Sequence, residues 1–296
     1  MGKNDNQNLM NLIKRVHSVV ENKDVETQRQ YQNSVAPLFG GSKEVTVEEC
    51  TIEDIHSEWA VVNRPHMKKY IILYCHGGGY MTGSCMYART ITSKLADSTS
   101  MDVLSFDYRL APEHPFPAAL EDALKIWDHL MLLGYGARDI IVAGDSAGGN
   151  LALTLVHKLK QQERLLPRGL ILLSPWTDLT ASGKTHQTKA EIDPILNARY
   201  LEEVTEAYAG GRDLTDPLVS PLFGDFTGFP PTYIQVGGNE ILLSDSTRLH
   251  KKMLKADVSA HLEVFRGMWH VFQMSRFKRA YDAIDRCAEF IYDICR

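Results

Sequence analysis

The chain has few cysteines, and none lies in a metal-binding pattern. Its 296 residues include five cysteines, and no two of them form a CxxC pair. A disulfide scaffold needs an even set of paired thiols, and structural zinc sites need closely spaced cysteine or histidine pairs. Cys50, Cys75, Cys85, Cys287 and Cys295 are therefore expected to be reduced thiols, as in a cytoplasmic protein.

Long apolar segments are also missing. A secretory signal needs an apolar core of about 7 to 15 residues, whereas residues 1–10 are mostly polar. No later stretch approaches the roughly 18 apolar residues of a membrane span. We therefore expect a soluble, cytoplasmic protein that does not insert into membranes.

The chain has no excess of positive charge. Lysine and arginine number 32 against 37 aspartate and glutamate, which gives a formal charge of -5. Without a basic cluster the chain offers no footprint for nucleic acid or anionic lipid. Repeats and low-complexity tracts are absent too, so a globular protein is expected, and a polyanionic partner is not.

What the sequence does have is an alternation of short apolar runs and amphipathic helices. Helical spacing is found at about 88–98, 117–132, 147–163, 244–256 and 273–294, while residues 44–53 and 58–62 alternate as in antiparallel edge strands. The intervening apolar runs, typical of buried parallel strands, are Tyr70–Cys75, Val103–Phe106, Ile140–Ala143, Leu170–Leu173, Tyr233–Val236 and His261–Phe265. This order predicts a doubly wound α/β sheet, mostly parallel and flanked by helices.

Two segments fall outside this alternation. Residues 1–40 begin with an amphipathic helix at about 9–20 and then become polar and turn-rich. A second segment of more than fifty residues separates Leu173 from Thr232, far more than a usual crossover, and its residues 198–208 have helical spacing. We interpret 1–40 and 178–226 as cap segments over a core formed by 41–177 and 227–296. The edge strands offer a surface for a homodimer.

A GxSxG motif, Gly144–Gly148, directly follows a predicted strand and directly precedes a predicted helix. The letters alone occur by chance in roughly one chain in ten of this length, so the context carries the inference. Small residues around Ser146 allow a sharp strand-to-helix turn that lifts the serine hydroxyl above the sheet edge. Ser146 is therefore the candidate nucleophile.

The segment His76–Gly79, HGGG, follows another predicted strand. Three successive glycines let backbone N–H groups approach a ligand, as an oxyanion hole requires. A phosphate-binding loop fits less well, because neither GxGxxG nor GxxxxGK(S/T) is present. The sequence also lacks HExxH and clusters at metal-ligand spacing, so no metal and no cofactor are expected.

A serine nucleophile needs a base and an acid, which in α/β-hydrolases follow it in the order Ser, acid, His. His270 lies in a strand-to-helix loop and is the candidate base. The candidate acids, Glu240 and Asp245, both lie in the loop after Val236. Glu240 is preferred because it is nearer to the strand end, whereas Asp245 falls where the next helix begins, a position typical of a helix-capping acid.

A series of motifs resembles the hormone-sensitive-lipase-like branch of the α/β-hydrolase carboxylesterases. The motifs are HGGGY (76–80), DYRLAPEHPFPAALED (107–122), GDSAGGN (144–150), SPWTDL (174–179) and the loops around Glu240 and His270. The resemblance spans about residues 70–275.

The resemblance implies an α/β-hydrolase fold and a serine carboxylesterase that acts on short- to medium-chain esters. It implies Ser146 as nucleophile and His270 as base, with the backbone N–H groups of Gly78, Gly79 and Ala147 as the oxyanion hole. The chain departs from many members at the acid, where they have aspartate and this sequence has Glu240.

Loop residues near the predicted site indicate an apolar substrate pocket, although each is equally compatible with the core of the lid. The main candidates are Tyr80, Trp176 and Trp269; others are Met81, Tyr200, Tyr208, Phe223 and Met268. By contrast, the charged residues of Asp107–Asp122 lie among three prolines between a strand and a helix. We interpret them as residues that pin the backbone through buried hydrogen bonds.

Other functions compatible with these motifs remain open. The same triad hydrolyses lactones, amides or thioesters, because pocket shape sets the substrate class. A ligand-binding protein on an inactive hydrolase scaffold would be expected to lack a triad residue, whereas Ser146, Glu240 and His270 are all present. Hydrolysis of a small-molecule ester is therefore the preferred hypothesis.

Overall fold

The computed structural model describes residues 9–15, 19–20, 23–66 and 68–296. Eight strands form one sheet in the order β1-β2-β4-β3-β5-β6-β7-β8. The strands are Val45–Ile52 (β1), Ile55–Val62 (β2), Ile71–Cys75 (β3), Asp102–Phe106 (β4), Ile140–Asp145 (β5), Gly169–Leu173 (β6), Thr232–Gly237 (β7) and Ala260–Phe265 (β8).

The sheet confirms the predicted fold class. From β4 to β8 every neighbouring pair is parallel, while β2 runs antiparallel to both β1 and β4. Strands β3 to β7 are almost wholly buried, because helices cover both faces of the sheet. Such strands cannot alternate apolar and polar residues, which is why they appear in the sequence as continuous apolar runs.

Besides the helical residues 9–15 and 19–20, the described part of the chain contains eight α-helices. They are Val25–Phe39 (α1), Cys85–Thr99 (α2), Ala118–Leu132 (α3), Ala147–Gln161 (α4), Thr185–Thr188 (α5), Ala198–Ala209 (α6), Leu243–Lys255 (α7) and Lys278–Cys295 (α8). Helices α2 and α8 share one apolar cluster with the sheet, and α3, α4 and α7 share the other. None of the helices in the described ranges is long and apolar enough to span a bilayer.

The expectation that the chain is turn-rich between about 21 and 40 is wrong, because residues Val25–Phe39 are helical. Asp24 caps this helix by accepting a hydrogen bond from the Thr27 N–H at 2.9 Å. The side chains of α1 contact the rest of the protein largely through hydrogen bonds. The spacing of apolar residues therefore does not predict this helix. In the preceding segment residues 9–15 are helical, as predicted, whereas Val16 lies outside the described residues.

The inserted segment contains the predicted helix at 198–208 as α6, and a further short helix, α5. The last helix begins at Lys278 and not at 273, since a 3-10 turn at Phe272–Met274 comes first. The cytoplasmic location and the homodimer stay predictions.

Parallel strands bring the candidate site residues to one edge of the sheet. The HGGG segment follows β3, Ser146 follows β5, Glu240 follows β7 and His270 follows β8. The carboxyl ends of parallel strands meet at the same edge, where loops from several strands form a crevice. The topology therefore places four distant segments of the chain within reach of one another.

Candidate active site

Ser146 occupies a strained turn between β5 and α4. Its backbone angles are φ 54° and ψ -119°, a left-handed conformation that a serine rarely adopts. The turn is held by hydrogen bonds from the Ser146 N–H to the Leu173 carbonyl and from the Trp176 N–H to the Ser146 carbonyl, at 2.9 and 3.0 Å. This arrangement is that of a nucleophile elbow.

The glycines on either side of Ser146 leave no room for a side chain. A Cβ added to Gly144 would lie 2.3 Å from the Gly148 carbonyl oxygen, and one added to Gly148 would lie 2.0 Å from the Cys75 carbonyl oxygen. The backbone of the first turn of α4 thus packs directly on the end of β3, where the HGGG segment begins. Close approach of backbones explains both glycines of the motif and brings the two loops together.

Ser146, His270 and Glu240 form a continuous hydrogen-bonded chain. Ser146 Oγ lies 2.9 Å from His270 Nε2, and His270 Nδ1 lies 2.6 Å from Glu240 Oε2. His270 and Glu240 are buried. The structure therefore brings together the three residues that the sequence singled out from three separate loops.

The second oxygen of Glu240 is anchored independently of His270. Glu240 Oε1 accepts hydrogen bonds from the Ser174 hydroxyl at 2.8 Å and from the Gly237 N–H. Ser174 Oγ in turn accepts a hydrogen bond from the Val271 N–H, next to His270, at 3.3 Å. Ser174 therefore ties the acid to the loop that holds the base, a role for which the sequence offers only the start of the SPWTDL motif.

Asp245, the alternative acid, has different partners. Its carboxylate accepts hydrogen bonds from the Thr177 and Asp178 N–H groups at 2.9 and 3.0 Å, and it pairs with His186 Nε2 at 2.9 Å. It is fully buried in the first turn of α7. These contacts fasten the start of the inserted segment to α7, and Asp245 makes none with His270.

The surroundings of His270 favour its protonated form. Burial alone lowers the pKa of the imidazole, but the hydrogen bond and charge of Glu240, with smaller contributions from the carboxylates of Asp193 and Asp145, raise the pKa above 6.5. A base with this pKa holds a proton more firmly than a free histidine does. It is suited to accept one from a serine hydroxyl as charge develops on the imidazole.

The HGGG loop presents unpaired donors next to Ser146. Gly78 and Gly79 have φ values of +118° and +63°, which explains the choice of glycine at both positions. Across the described residues, the N–H groups of Gly78, Gly79 and Ala147 form no hydrogen bond. Backbone donors left free beside a serine at a helix N-terminus can bind an oxyanion.

Asp145 holds the HGGG loop through a hydrogen bond with its backbone. Its fully buried carboxylate accepts hydrogen bonds from the Gly77 N–H at 2.9 Å and from the hydroxyls of Tyr74 and Tyr87 at 2.6 and 3.1 Å. Burial raises the pKa of Asp145, against the effect of these donors. Asp145, the second residue of the GxSxG motif, therefore positions the HGGG loop.

The predicted pocket residues Tyr80, Trp176 and Trp269 are all buried in the structure. Tyr80 stacks on Tyr208 with ring centroids 3.6 Å apart, and its hydroxyl donates to Asn150 Oδ1 at 2.7 Å. Trp269 packs edge-on against Phe277. A substrate contact for the three aromatic residues stays a prediction.

The charged residues of Asp107–Asp122 have structural contacts. Arg109 donates to the buried Asp122 from both its backbone and its guanidinium group, at 2.9 to 3.1 Å. Asp107 accepts a hydrogen bond from the Cys85 N–H at the start of α2. These bonds fix the segment that joins β4 to α3, as predicted for it.

One group of side chains in the described ranges could approach a metal ion. Ligand atoms of His56, Glu58 and Cys85 lie within 4.8 Å of one another. Arg89 already donates to both carboxylate oxygens of Glu58, at 2.7 and 2.8 Å, and His56 pairs with Asp107. Protein partners therefore occupy the main ligand atoms, and this group lies on β2 and α2, away from Ser146.

Helix α1 reaches the end of the HGGG loop through Arg29. Its guanidinium group donates to the carbonyls of Met81 and Ala111 at 2.8 and 2.9 Å and pairs with Glu113. Arg29→Ala leaves both carbonyls without this donor and frees the loop beyond Tyr80. We expect kcat to fall about five- to tenfold, because the sequence predicts the N–H groups of this loop as oxyanion donors, and small displacements of such donors weaken transition-state binding.

Steady-state kinetics on p-nitrophenyl acetate measure this effect. Arg164→Ala, which removes a surface ion pair with Asp128, is the matched control and should leave kcat unchanged. An Arg29→Ala enzyme with wild-type kcat would show that α1 does not support the loop.

A family model described as the alpha/beta hydrolase fold matches residues 72–274. The chain belongs to the α/β-hydrolase family. Within the family, it is 33% identical to a crystallised esterase from the bacterial hormone-sensitive lipase family, with a TM-score of 0.92 over 98% of each chain.

Two relatives also bear on the activity of this α/β-hydrolase. An esterase of Acinetobacter venetianus is 42% identical over 223 residues, 74% of each chain. An acetyl-hydrolase of Streptomyces hygroscopicus is 36% identical over 256 residues, 85% of this chain and 83% of the relative. The α/β-hydrolase is a carboxylic ester hydrolase of the hormone-sensitive-lipase-like branch, as the motifs indicated.

Proposed function

We propose that this α/β-hydrolase cleaves short- to medium-chain carboxylic esters through an acyl-enzyme on Ser146. The observation that carries the proposal is the hydrogen-bonded chain from Ser146 Oγ through His270 to Glu240, beside the free N–H groups of Gly78, Gly79 and Ala147. Nucleophile, base, acid and oxyanion donors are the complete set that acyl transfer from an ester requires.

The mechanism follows from these contacts. His270 Nε2 takes the hydroxyl proton of Ser146 as Oγ attacks the ester carbonyl, and the N–H donors bind the oxyanion that forms. Each such donor contributes a factor of roughly a hundred to a thousand in rate. His270 then gives its proton to the leaving alcohol. Water, deprotonated by the same histidine, releases the acid from Ser146.

We also propose that residues 1–40 and 178–226 act as the cap over a core of 41–177 and 227–296. This proposal is supported by the close packing of α6 on the HGGG loop. A Cβ added to Gly79 would lie 2.8 Å from Tyr200 Oη and 3.1 Å from Val204 Cγ1, both on α6. Arg29 of α1 reaches the same loop from the other segment. Cap residues this close to the oxyanion donors limit the acyl group that fits.

A panel of p-nitrophenyl esters from acetate to dodecanoate tests the proposed function, with fluorophosphonate labelling alongside. We expect turnover to peak at short acyl chains and the label to map to Ser146 by peptide mass spectrometry. Lactone, anilide and thioester substrates in the same assay test the other acyl bonds. Absence of both turnover and label would instead favour an inactive, ligand-binding member of the family.

The activity should also depend on pH through His270. The base acts only in its neutral form, and its pKa is raised above 6.5. We therefore expect kcat/KM to be constant at alkaline pH and to fall tenfold per unit below a midpoint higher than 6.5. Rates from pH 5 to 9 on one soluble ester measure the midpoint; a midpoint well below 6.5 would contradict the assigned Glu240 pairing.

A further inference from the structure

Asp193 of the inserted segment is a buried carboxylate that reaches the loop of Glu240. Its Oδ1 accepts hydrogen bonds from the Ile195 and Leu196 N–H groups, both at 2.9 Å, and its Oδ2 accepts one from the Ile241 N–H at 2.8 Å. Ile241 directly follows Glu240. One side chain therefore closes the turn that leads into α6 and holds the peptide group next to the acid.

The same turn also packs against the loop of His270. Ile195 contacts the apolar cluster that includes Met268 and Trp269, the two residues before His270. The loops of acid and base are tied to each other as well, because the Asn239 N–H donates to the Met268 carbonyl at 2.9 Å. Asp193 thus lies where the inserted segment meets both loops.

A carboxylate is a costly choice at this position. Asp193 is 2% exposed, and none of the described lysine or arginine side chains forms an ion pair with it. Burial raises the pKa of Asp193 to about 6, against the opposing effect of the His270 charge. An asparagine closes the same kind of local turn without burying a charge, so the turn alone does not explain the aspartate.

We propose that Asp193 is a positioning residue for the Glu240–His270 pair: it holds the acid loop through Ile241 and places a second negative charge beside His270. This inference rests on the proposed function of the pair. The charge stabilises the imidazolium that forms when Ser146 gives up its proton, and it acts without touching the reacting atoms. Because this carboxylate belongs to the inserted segment, the loop of Glu240 is held in place only when the inserted segment packs against it.

Asp193→Asn tests the proposal because it keeps the size of the side chain and removes its charge. The amide has one acceptor oxygen, so its NH2 group must face either Ile241 or the Ile195–Leu196 turn. We expect kcat to fall on the order of tenfold with KM changed less than about threefold. The acid limb of kcat/KM should move to lower pH by about half a unit, since a negative charge near His270 is gone.

The matched control is Asp213→Asn. Asp213 lies in the same inserted segment and accepts a hydrogen bond from the N–H two residues ahead, that of Thr215, as Asp193 does from Ile195. It is exposed, and its carboxylate bonds to Thr215 of its own turn. Asp213→Asn should leave kcat, KM and the pH profile unchanged.

A measurement that needs no turnover separates this inference from the proposed function. The Nδ1 proton of His270, hydrogen-bonded to Glu240, gives a downfield proton NMR signal whose titration reports the pKa of the imidazole. We expect its midpoint in Asp193→Asn to fall below that of the wild type. If the wild-type protein hydrolyses no ester, the proposed function fails while this titration still decides the role of Asp193.

An Asp193→Asn protein whose His270 titration and acid limb coincide with those of the wild type would overturn the proposal, whatever its rate. Should that variant fail to fold, Asp193→Glu decides the matter, because it keeps the charge and lengthens the reach. Its His270 midpoint should match the wild type while kcat falls; wild-type kcat would show that the position of the carboxylate is immaterial.

Discussion

Replacing Ser146 with alanine is expected to lower kcat by a factor on the order of 10⁴ or more, to the limit of detection. In the proposed mechanism the hydroxyl oxygen forms the acyl-enzyme, and it lies 2.9 Å from Nε2 of His270, the only base in hydrogen-bond contact with it among the described residues. The variant still binds the substrate and keeps the N–H donors. These donors can only assist the direct attack of water on the ester, which is much slower.

Folding should survive this change. The turn at Ser146 is held by its backbone hydrogen bonds to Leu173 and Trp176, and alanine keeps both. The measurements are initial rates on p-nitrophenyl acetate and butyrate, with thermal unfolding as the check on the fold. Ser98→Ala, which removes an exposed hydroxyl bonded to Asp285, is the matched control. Substantial turnover by folded Ser146→Ala would remove Ser146 from the mechanism.

Glu240→Gln is expected to reduce kcat by a factor on the order of 10³ to 10⁴. The Ser174 hydroxyl and the Gly237 N–H donate to Glu240 Oε1, so in the variant the amide oxygen stays with these donors. The amide NH2 group then faces His270 Nδ1, which must become an acceptor. That tautomer carries its proton on Nε2 and can no longer take one from Ser146.

Comparing Glu240→Gln with Asp245→Asn tests which of the two carboxylates is the acid that pairs with His270. Asp245 is as buried as Glu240, but it binds Thr177, Asp178 and His186. The change should leave kcat within a fewfold of the wild type and lower the free energy of unfolding by about 1 to 3 kcal/mol. Kinetics and urea unfolding on both variants measure the ranking. The reverse ranking, with Asp245→Asn the slower enzyme, would overturn the assignment of Glu240.

Much of the fold was predictable because its causes are local. Buried parallel strands must be apolar on both faces, so β3 to β7 appear as uninterrupted apolar runs, and helical spacing fills the gaps between them. The turn at Ser146 needs small neighbours, since added Cβ atoms would overlap backbone within 2.0 to 2.3 Å. Each of these requirements restricts the residue types within one short stretch of the chain, so each can be recognised as a sequence motif.

Helix α1 was missed for the opposite reason. Its side chains bind polar groups on distant loops, such as the carbonyls of Met81 and Ala111 that accept from Arg29. No apolar period results from contacts of this kind, and a segment with three glutamines and an asparagine among its fifteen residues resembles a loop when it is considered alone.

By itself, the sequence determined the order of the strands and of the helices that flank the sheet. It also determined the Ser146 turn, the glycine loop after β3 and the position of His270 beyond β8, because each depends on neighbours in the chain. Only the tertiary structure decided which carboxylate meets His270. Glu240 and Asp245 lie in one stretch after β7, and the choice depends on where Ser174, Gly237 and the loop of β8 hold an oxygen. Asp193 became visible in the same way, since its link to Ile241 joins residues 48 positions apart.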